Sequence, residues 1–154
     1  MGHIDTITGL EVLTPGDCLY LLAGCSVGRA GFVVSGRPHV LPVNYAVDKD
    51  ASVIFRTTDQ SILTNVAGNQ VAFEVDGFDE RHRSGWSVCV HGVGREITDA
   101  SDPAATRLRE LSVVTWASGH RDRWFAITPE EITGRRLPLA ATANDFGWIP
   151  GIVS

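Results

Sequence analysis

The segment VIFRTTDQSILTNVAG, which runs from Val53 to Gly68, joins two different patterns through a short polar turn. Its β-branched and aromatic residues up to Thr57 predict a strand. The residues that follow predict a helix over residues 60–67, which begins near Ser61 and ends before Gly68. Because backbone N–H groups at a helix start point outward, a strand, a polar turn and a helix in this order are typical of an anion-binding site.

Short polar turns separate β-branched runs along most of the chain, which indicates antiparallel hairpins. Six strands are predicted, at residues 29–34, 39–47, 52–57, 70–78, 86–98 and 123–137. We expect the last of them to be bulged at Thr128–Pro129. A mainly β fold follows, with a small closed or partly closed antiparallel barrel and a few short helices. A β-sandwich is the alternative, and the helix between the third and fourth strands favours the barrel.

Two more helices are predicted from their capping residues. Residues 14–24 have Thr14 as N-cap and Pro15 in the first turn, and residues 101–117 begin with Asp102 and Pro103 in the same roles. The chain of 154 residues is expected to be one domain over residues 14–138. An N-terminal arm with a disordered start, residues 1–13, precedes it, and a tail without clear periodicity, residues 139–154, follows it.

Composition limits the classes of function. The formal net charge of −5 argues against a general nucleic-acid binder, which would carry a basic face. Three cysteines without a Cys-x-x-Cys motif indicate a reducing compartment, and neither a secretory signal nor a membrane-spanning run is found, so we expect a cytoplasmic protein. Cys89 and His91 would supply only two metal ligands, so no metal site is predicted.

Several segments in this order resemble the pyridoxamine 5′-phosphate oxidase-like family of FMN-binding split barrels. They are GRPHVLPVNYAVD, VIFRTT, SILTNVAGNQVAFEVD, GWSVCVHGVGRE and ITPEEITGRRL, and the likeness as a whole runs from about Thr14 to Leu137. Small actinobacterial-type proteins related to nitroimidazole-resistance reductases are the most similar branch. The resemblance rests on the spacing between segments, which makes it more specific than any single motif.

The resemblance implies a six-stranded antiparallel split β-barrel that forms a homodimer, with FMN bound at the interface between the subunits. It implies that residues of one strand follow the flavin ring, namely Val40, Pro42, Val43 and Asn44. The ribityl chain and the phosphate would be held by Phe55, Arg56, Thr57 and Thr58, and the phosphate site would be completed by Ser61, Ile62 and Leu63. Trp86 and Ser87 would lie close to the cofactor, and the tail with Phe146 and Trp148 would pack at the interface.

Ile62 departs from the family pattern, because family members usually place a lysine or arginine just after the serine. A charge-assisted hydrogen bond contributes roughly 1.5–3 kcal/mol, so FMN would bind more weakly here, or the deazaflavin F420 would be preferred. Each site residue also has a structural explanation. Thr57 fits a strand position, Ser61 fits a helix cap, Trp86 fits the core, and Arg56, on the face opposite Phe55, fits solvent or a partner subunit.

The leading hypothesis is an FMN- or F420-dependent oxidoreductase that acts on a small organic substrate. No arrangement of nucleophile, base and orienting acid is recognisable, which agrees with a cofactor that carries the chemistry. The alternative is a non-catalytic or degenerate cofactor-binding protein, which Ile62 favours. Oxidation of pyridoxamine phosphate itself would need cations for the substrate phosphate, and Arg135–Arg136 is the one paired arginine available.

Overall fold

The computed structural model describes residues 2–99, 101–108, 111 and 113–138, and within them the fold is an antiparallel β-structure with two short helices. The predicted tail with Phe146 and Trp148 lies outside the described residues. The helices are α1, Pro15–Ala23, and α2, Pro103–Leu108. The strands are β1, His3–Ile4; β2, Glu11–Val12; β3, Val27–Val34; β4, Arg37–Asn44; β5, Ala46–Val47; β6, Val53–Thr57; β7, Gln70–Asp79; β8, Ser84–Ile97; and β9, Arg123–Leu137.

The barrel is built from six of these strands in the order β6–β9–β8–β7–β3–β4, each hydrogen-bonded to the next. The ring is not closed by a ladder between β4 and β6, and β5 bridges the two by pairing with β6. Ser35 and Gly36, with φ of 50° and 75°, turn the chain between β3 and β4 in the manner of a type I′ hairpin. The predicted mainly β split barrel is confirmed.

The predicted number of strands differs from the observed one for two reasons. The second predicted strand breaks into β4 and β5 at Tyr45, whose hydroxyl bonds to the Leu22 carbonyl of α1. The N-terminal arm is not disordered as expected, because β1 pairs with β2 and β2 pairs with the end of β9. The bulge in β9 falls at Glu130, since Pro129 and Glu131 face adjacent residues of β8.

The prediction of a helix over residues 60–67 was wrong: the segment forms only a short 3₁₀ turn, Ile62–Val66. Two of its side chains bond back to the local backbone, because Thr64 Oγ1 donates to the Ser61 carbonyl at 2.9 Å and Asn65 Nδ2 to the Ile62 carbonyl at 2.9 Å. Such bonds compete with an α-helix. The turn also lies directly against β8, where a Cβ on Gly94 would come within 2.2 Å of the Val66 carbonyl oxygen.

The helix predicted over residues 101–117 is also shorter than expected. Asp102 accepts a hydrogen bond from the Ala104 N–H at 2.9 Å and starts α2 as predicted. The described residues 113–117 are irregular, because the β-branched run from Val113 to Thr115 disfavours a helix. Residues 109, 110 and 112 lie outside the described part of the chain.

The barrel interior is aromatic and aliphatic. Phe55 and Phe125 stack with ring centroids 5.6 Å apart, and Phe73 packs edge-on against Tyr45. Val88 and Val90 are fully buried, as the alternation along the fifth predicted strand required. The first helix is confirmed with its caps, since the Thr14 hydroxyl accepts from the Asp17 N–H. Within the described residues, no helix is long and apolar enough to cross a membrane.

Candidate functional site

The free edge of β4 is the first element of the candidate site. Hydrogen-bonded and non-bonded pairs alternate along an antiparallel ladder. The Tyr45 N–H donates to the Ser26 carbonyl at 3.2 Å, so odd-numbered residues of β4 direct their N–H groups towards β3 and even-numbered ones direct them away. Pro38 and Pro42, which have no N–H, both fall in the even-numbered set. The N–H of Val40 therefore points outward from the sheet.

Side chains on β4 follow the same alternation. Val40 is 68% exposed, Pro42 is exposed, and both lie on the outer face of the sheet. Val43, in contrast, is buried in the core and its N–H faces β3, so neither its side chain nor its N–H lies at the free edge. Of the residues predicted to contact the flavin ring, Val40, Pro42 and Asn44 belong to the even-numbered set, whose backbone faces away from β3.

The opening of the barrel lies between β4 and β6. Ala46 pairs with Ile54 and Val47 pairs with Val53, so continuing that register would set Asn44 opposite Arg56. The ladder stops before that point, because β4 has already turned to pair with β3. Asn44 and Arg56 therefore mark the two sides of the split.

Arg56 lies on the opposite face of β6 from Phe55 and Thr57, as its position in the strand predicted. Its guanidinium carbon stands 5.4 Å from the centroid of the Trp124 ring, which is a cation–π contact. Its Nε is buried and has no hydrogen-bond partner among the residues that the structure describes. Because buried donors are nearly always paired in folded proteins, an orphaned guanidinium N–H beside the split indicates a place for an acceptor that is not part of the described chain.

The turn that follows β6 is not the α-helix start on which the predicted anion site was based. The Ser61 N–H donates to the Thr58 carbonyl at 3.1 Å, and the Ser61 hydroxyl accepts from the Leu63 N–H at 3.2 Å. Ile62 packs against the core and Leu63 is buried in it. The N–H groups of Ser61 and Leu63 are therefore bonded within the turn, and a five-residue 3₁₀ turn lacks the dipole of an α-helix.

Thr57 is only 4% exposed and faces the barrel interior, where its cross-strand partner is Arg123. Arg123 binds both carboxylate oxygens of Glu96 at 2.6 Å and lies 3.6 Å from Asp59. Hydrogen bonds from Arg123 hold the pKa of Glu96 below its usual range. Sequence reasoning missed this ionic cluster, because nothing local relates Arg123 to Thr57 before the β6–β9 register is known.

Trp86 and Ser87 do not join the split within one protomer. They lie at the start of β8, three strands from β4 across β3 and β7, which is about 14 Å at ordinary strand spacing. Trp86 packs partly against the core and also lines a surface cavity of about 390 Å³ next to Phe78 and Arg136.

The paired arginines of β9 are partly committed elsewhere. Arg136 forms an ion pair with Glu11 at 3.3 Å and so fastens β2 to β9. Arg135 lies opposite Ser87 in the β8–β9 ladder, far from Arg56. Among the residues that the structure describes, no three metal-ligating side chains gather into a cluster, and Cys89 with His91 stand as a pair 3.8 Å apart.

Comparison with known proteins places the fold. The family model for pyridoxamine 5′-phosphate oxidase matches residues 14–136. The chain belongs to this family. This family member is 35% identical over 127 residues to the uncharacterized protein Rv0080 of Mycobacterium tuberculosis, a match that spans 79% of this chain and 81% of the relative.

Two solved structures extend the comparison. An FAD binding protein from Mycobacterium smegmatis superposes with a TM-score of 0.69 at 31% identity, over 82% of this family member and 98% of the other chain. A conserved protein of unknown function, DIP1874 from Corynebacterium diphtheriae, superposes with a TM-score of 0.67 at 29% identity, over 82% and 96% of the two chains.

Proposed function

We propose that this protein is a flavin-dependent oxidoreductase that binds FMN with the flavin ring along the free edge of β4. The observation that carries the proposal is the outward Val40 N–H on one side of the split, with the Arg56 Nε, which has no partner within the described part of the chain, on the other. A planar ring that carries nitrogen and carbonyl acceptors along its edge suits two such donors. The similarity to an FAD binding protein supports a flavin in general.

The flavin would supply the redox chemistry, by accepting and returning a hydride. The chain would hold it in place: the N–H of Val40 donates a hydrogen bond to the ring edge, and Arg56 offers a positive charge that favours the more negative, reduced form. Pro38 and Pro42 leave carbonyl acceptors but no donors on the same edge. They also prevent another strand from adding there, which keeps the edge available to a ligand.

The residues fit the ring better than they fit the phosphate. The N–H groups of Ser61 and Leu63 are bonded within the turn, and Ile62 supplies no cation. Glu96 and Asp59 surround Arg123 with negative charge, which weakens its attraction for an anion. FMN is therefore proposed with modest affinity, and F420 remains the second cofactor to test because it also carries a phosphate.

A homodimer is proposed as the active form. The outer face of β3 and β4 exposes Val33 and Val40, whereas Arg29 on the same face is already paired with Glu74 and Asp76 at 3.0 Å. Burial and the neighbouring Asp76 raise the pKa of Glu74 against the opposing effect of Arg29. A flat apolar face with internally paired charges suits a second copy, whose Trp86 and Ser87 equivalents would then reach the flavin.

Titration tests the cofactor directly. The absorbance spectrum of freshly purified protein is recorded, and the protein is then titrated with riboflavin, FMN, FAD and F420. Micromolar binding of a flavin with a perturbed visible band is expected, and no binding of any of the four would overturn the proposal. Light scattering is expected to give a dimer, and a stable monomer at micromolar concentration would remove the shared site.

A non-catalytic flavin binder is the second candidate function, and Ile62, which supplies no cation for a phosphate, favours it. Hydride transfer separates the two. Reduction of the bound flavin by NAD(P)H or by reduced F420, followed by reoxidation with a small organic acceptor, supports the enzyme. A flavin that binds but is not reduced by any of these donors supports the binder.

A further inference from the structure

The segment that follows α2 is fastened to the last residue of β4. Asn44 Oδ1 accepts a hydrogen bond from the backbone N–H of Trp116 at 2.9 Å. The amide nitrogen of Asn44 donates to the Ser26 carbonyl at 3.3 Å, so both ends of the side-chain amide are engaged. Asn44 therefore acts as a clip that sets the backbone of Trp116 beside the end of β4.

Two other contacts order the same segment. Val113 is buried, and the guanidinium of Arg121 donates to the Ala117 carbonyl at 2.8 Å. The backbone around Trp116 is thus held from both sides, by Asn44 and by Arg121. A tryptophan carried on such a segment would usually direct its ring into the protein.

The ring of Trp116 instead remains 73% exposed in the protomer. Its neighbour Val114 is exposed as well. The other described tryptophans behave differently, because Trp124 packs against the cluster under α2 and Trp86 against the barrel core. An indole with an anchored backbone and an open face, at the end of a strand whose edge is free, has the geometry of a stacking surface.

We propose that Trp116 is an aromatic wall against which the flavin ring stacks, with Asn44 as the residue that positions it. The inference rests on the proposed function and names a contact on the ring rather than on the phosphate. The indole is electron-rich and the oxidised flavin ring is electron-poor, so an offset stack between them is favourable. Because riboflavin, FMN and FAD share the same ring system, stacking on Trp116 contributes equally to the binding of all three.

Fluorescence supplies the test, because an indole in contact with a flavin quenches its emission by electron transfer. The variant Trp116→Leu keeps an apolar side chain and removes the aromatic face, at a position exposed enough to tolerate the change. We expect bound riboflavin and bound FMN to emit several-fold more strongly in this variant. We also expect both to bind roughly tenfold more weakly, as for the loss of one stacked aromatic.

Trp86→Phe is the matched control, because Trp86 is the other tryptophan proposed to lie near the flavin. Asn44→Ala keeps the indole but removes the hydrogen bond to the Trp116 N–H, and it should relieve part of the quenching. Flavin binding with unchanged emission in Trp116→Leu, or relief of quenching by Trp86→Phe alone, would overturn the inference. So would a change in oligomeric state without a change in emission, since that result assigns the ring to a subunit contact.

The two proposals fail in distinguishable ways. If the unsubstituted protein binds no flavin, the proposed function falls and the stacking role falls with it. If the unsubstituted protein binds flavin and Trp116→Leu leaves emission and affinity unchanged, only the stacking role falls. Circular dichroism and thermal melting of each variant establish that the fold is retained in these comparisons.

Discussion

Strand β4 and the turn after β6 lie on the two sides of the same opening, and both present backbone N–H groups near it. On β4 the N–H of Val40 points outward because the strand has a partner on one edge only. In the turn, the N–H groups of Ser61 and Leu63 are bonded to the Thr58 carbonyl and the Ser61 hydroxyl. A free strand edge leaves every second N–H unbonded by geometry, whereas these two N–H groups of the turn are bonded within it.

The difference has a consequence for ligand binding. A ligand that meets β4 displaces only water from the Val40 N–H, whereas a phosphate that uses the Ser61 or Leu63 N–H must compete with bonds already made within the turn. The proposed flavin should therefore be held mainly through its ring, and the phosphate should add less than in relatives that carry a cation after the serine.

Proline scanning of β4 is the strongest way to break this comparison. Val40→Pro removes the outward N–H without breaking a β3–β4 ladder bond, and should weaken flavin binding about two- to tenfold while leaving the melting temperature close to that of the parent. Leu41→Pro removes an N–H that faces β3 and should destabilise the fold by about 3 kcal/mol. Calorimetry and flavin titration measure both effects. Equal destabilisation by the two variants would show that the assignment of donors along β4 is wrong.

A cation introduced into the turn tests how much the phosphate contributes to binding. Ile62→Lys should tighten FMN by roughly 1–2 kcal/mol, about five- to thirtyfold in Kd, because it restores the charge that relatives carry. The gain should shrink as salt rises, since a partly exposed charge pair is screened. Titration with riboflavin, which lacks a phosphate, is the control. Equal tightening of riboflavin and FMN would mean that the lysine acts away from the phosphate.

Removal of the Ser61 hydroxyl tests whether this side chain caps the turn or contacts the phosphate. Ser61→Ala should lower the free energy of unfolding by about 0.5–1 kcal/mol, because the Leu63 N–H loses its acceptor. The ratio of FMN to riboflavin affinity should stay unchanged. If this variant binds FMN more weakly but riboflavin equally well, Ser61 contacts the phosphate.

The smallest expected effect concerns the ion pair between Arg123 and Glu96. Because Arg123 lowers the pKa of Glu96 in the folded state, the pair stabilises the fold above the unfolded pKa of Glu96 and loses its effect as the pH falls through the folded one. Glu96→Gln should therefore melt slightly below the parent near neutral pH. The difference in melting temperature between the variant and the parent should close below about pH 4. Melting temperatures across this range measure it, and a gap that persists in acid would assign the loss to packing.

Local patterns in the sequence were enough for the strands and for α1. A period of two predicted which valines of β8 are buried, and the capping residues Thr14 and Pro15 predicted the start of α1. The bounds of β9 followed from its β-branched residues and flanking turns. Each of these features depends on neighbours a few residues away, and therefore on information that a short segment contains.

The candidate site depended on contacts that no segment contains. The family resemblance implied that the region from Val40 to Asn44 would contact the flavin, but only the pairing of β4 with β3 decided that Val40 faces outward and Val43 inward. Only the β6–β9 register set Arg123 opposite Thr57, and packing against β8 added to the local side-chain bonds that favour a 3₁₀ turn over the predicted helix. Strand register joins residues far apart in the chain, so the tertiary structure alone decides it.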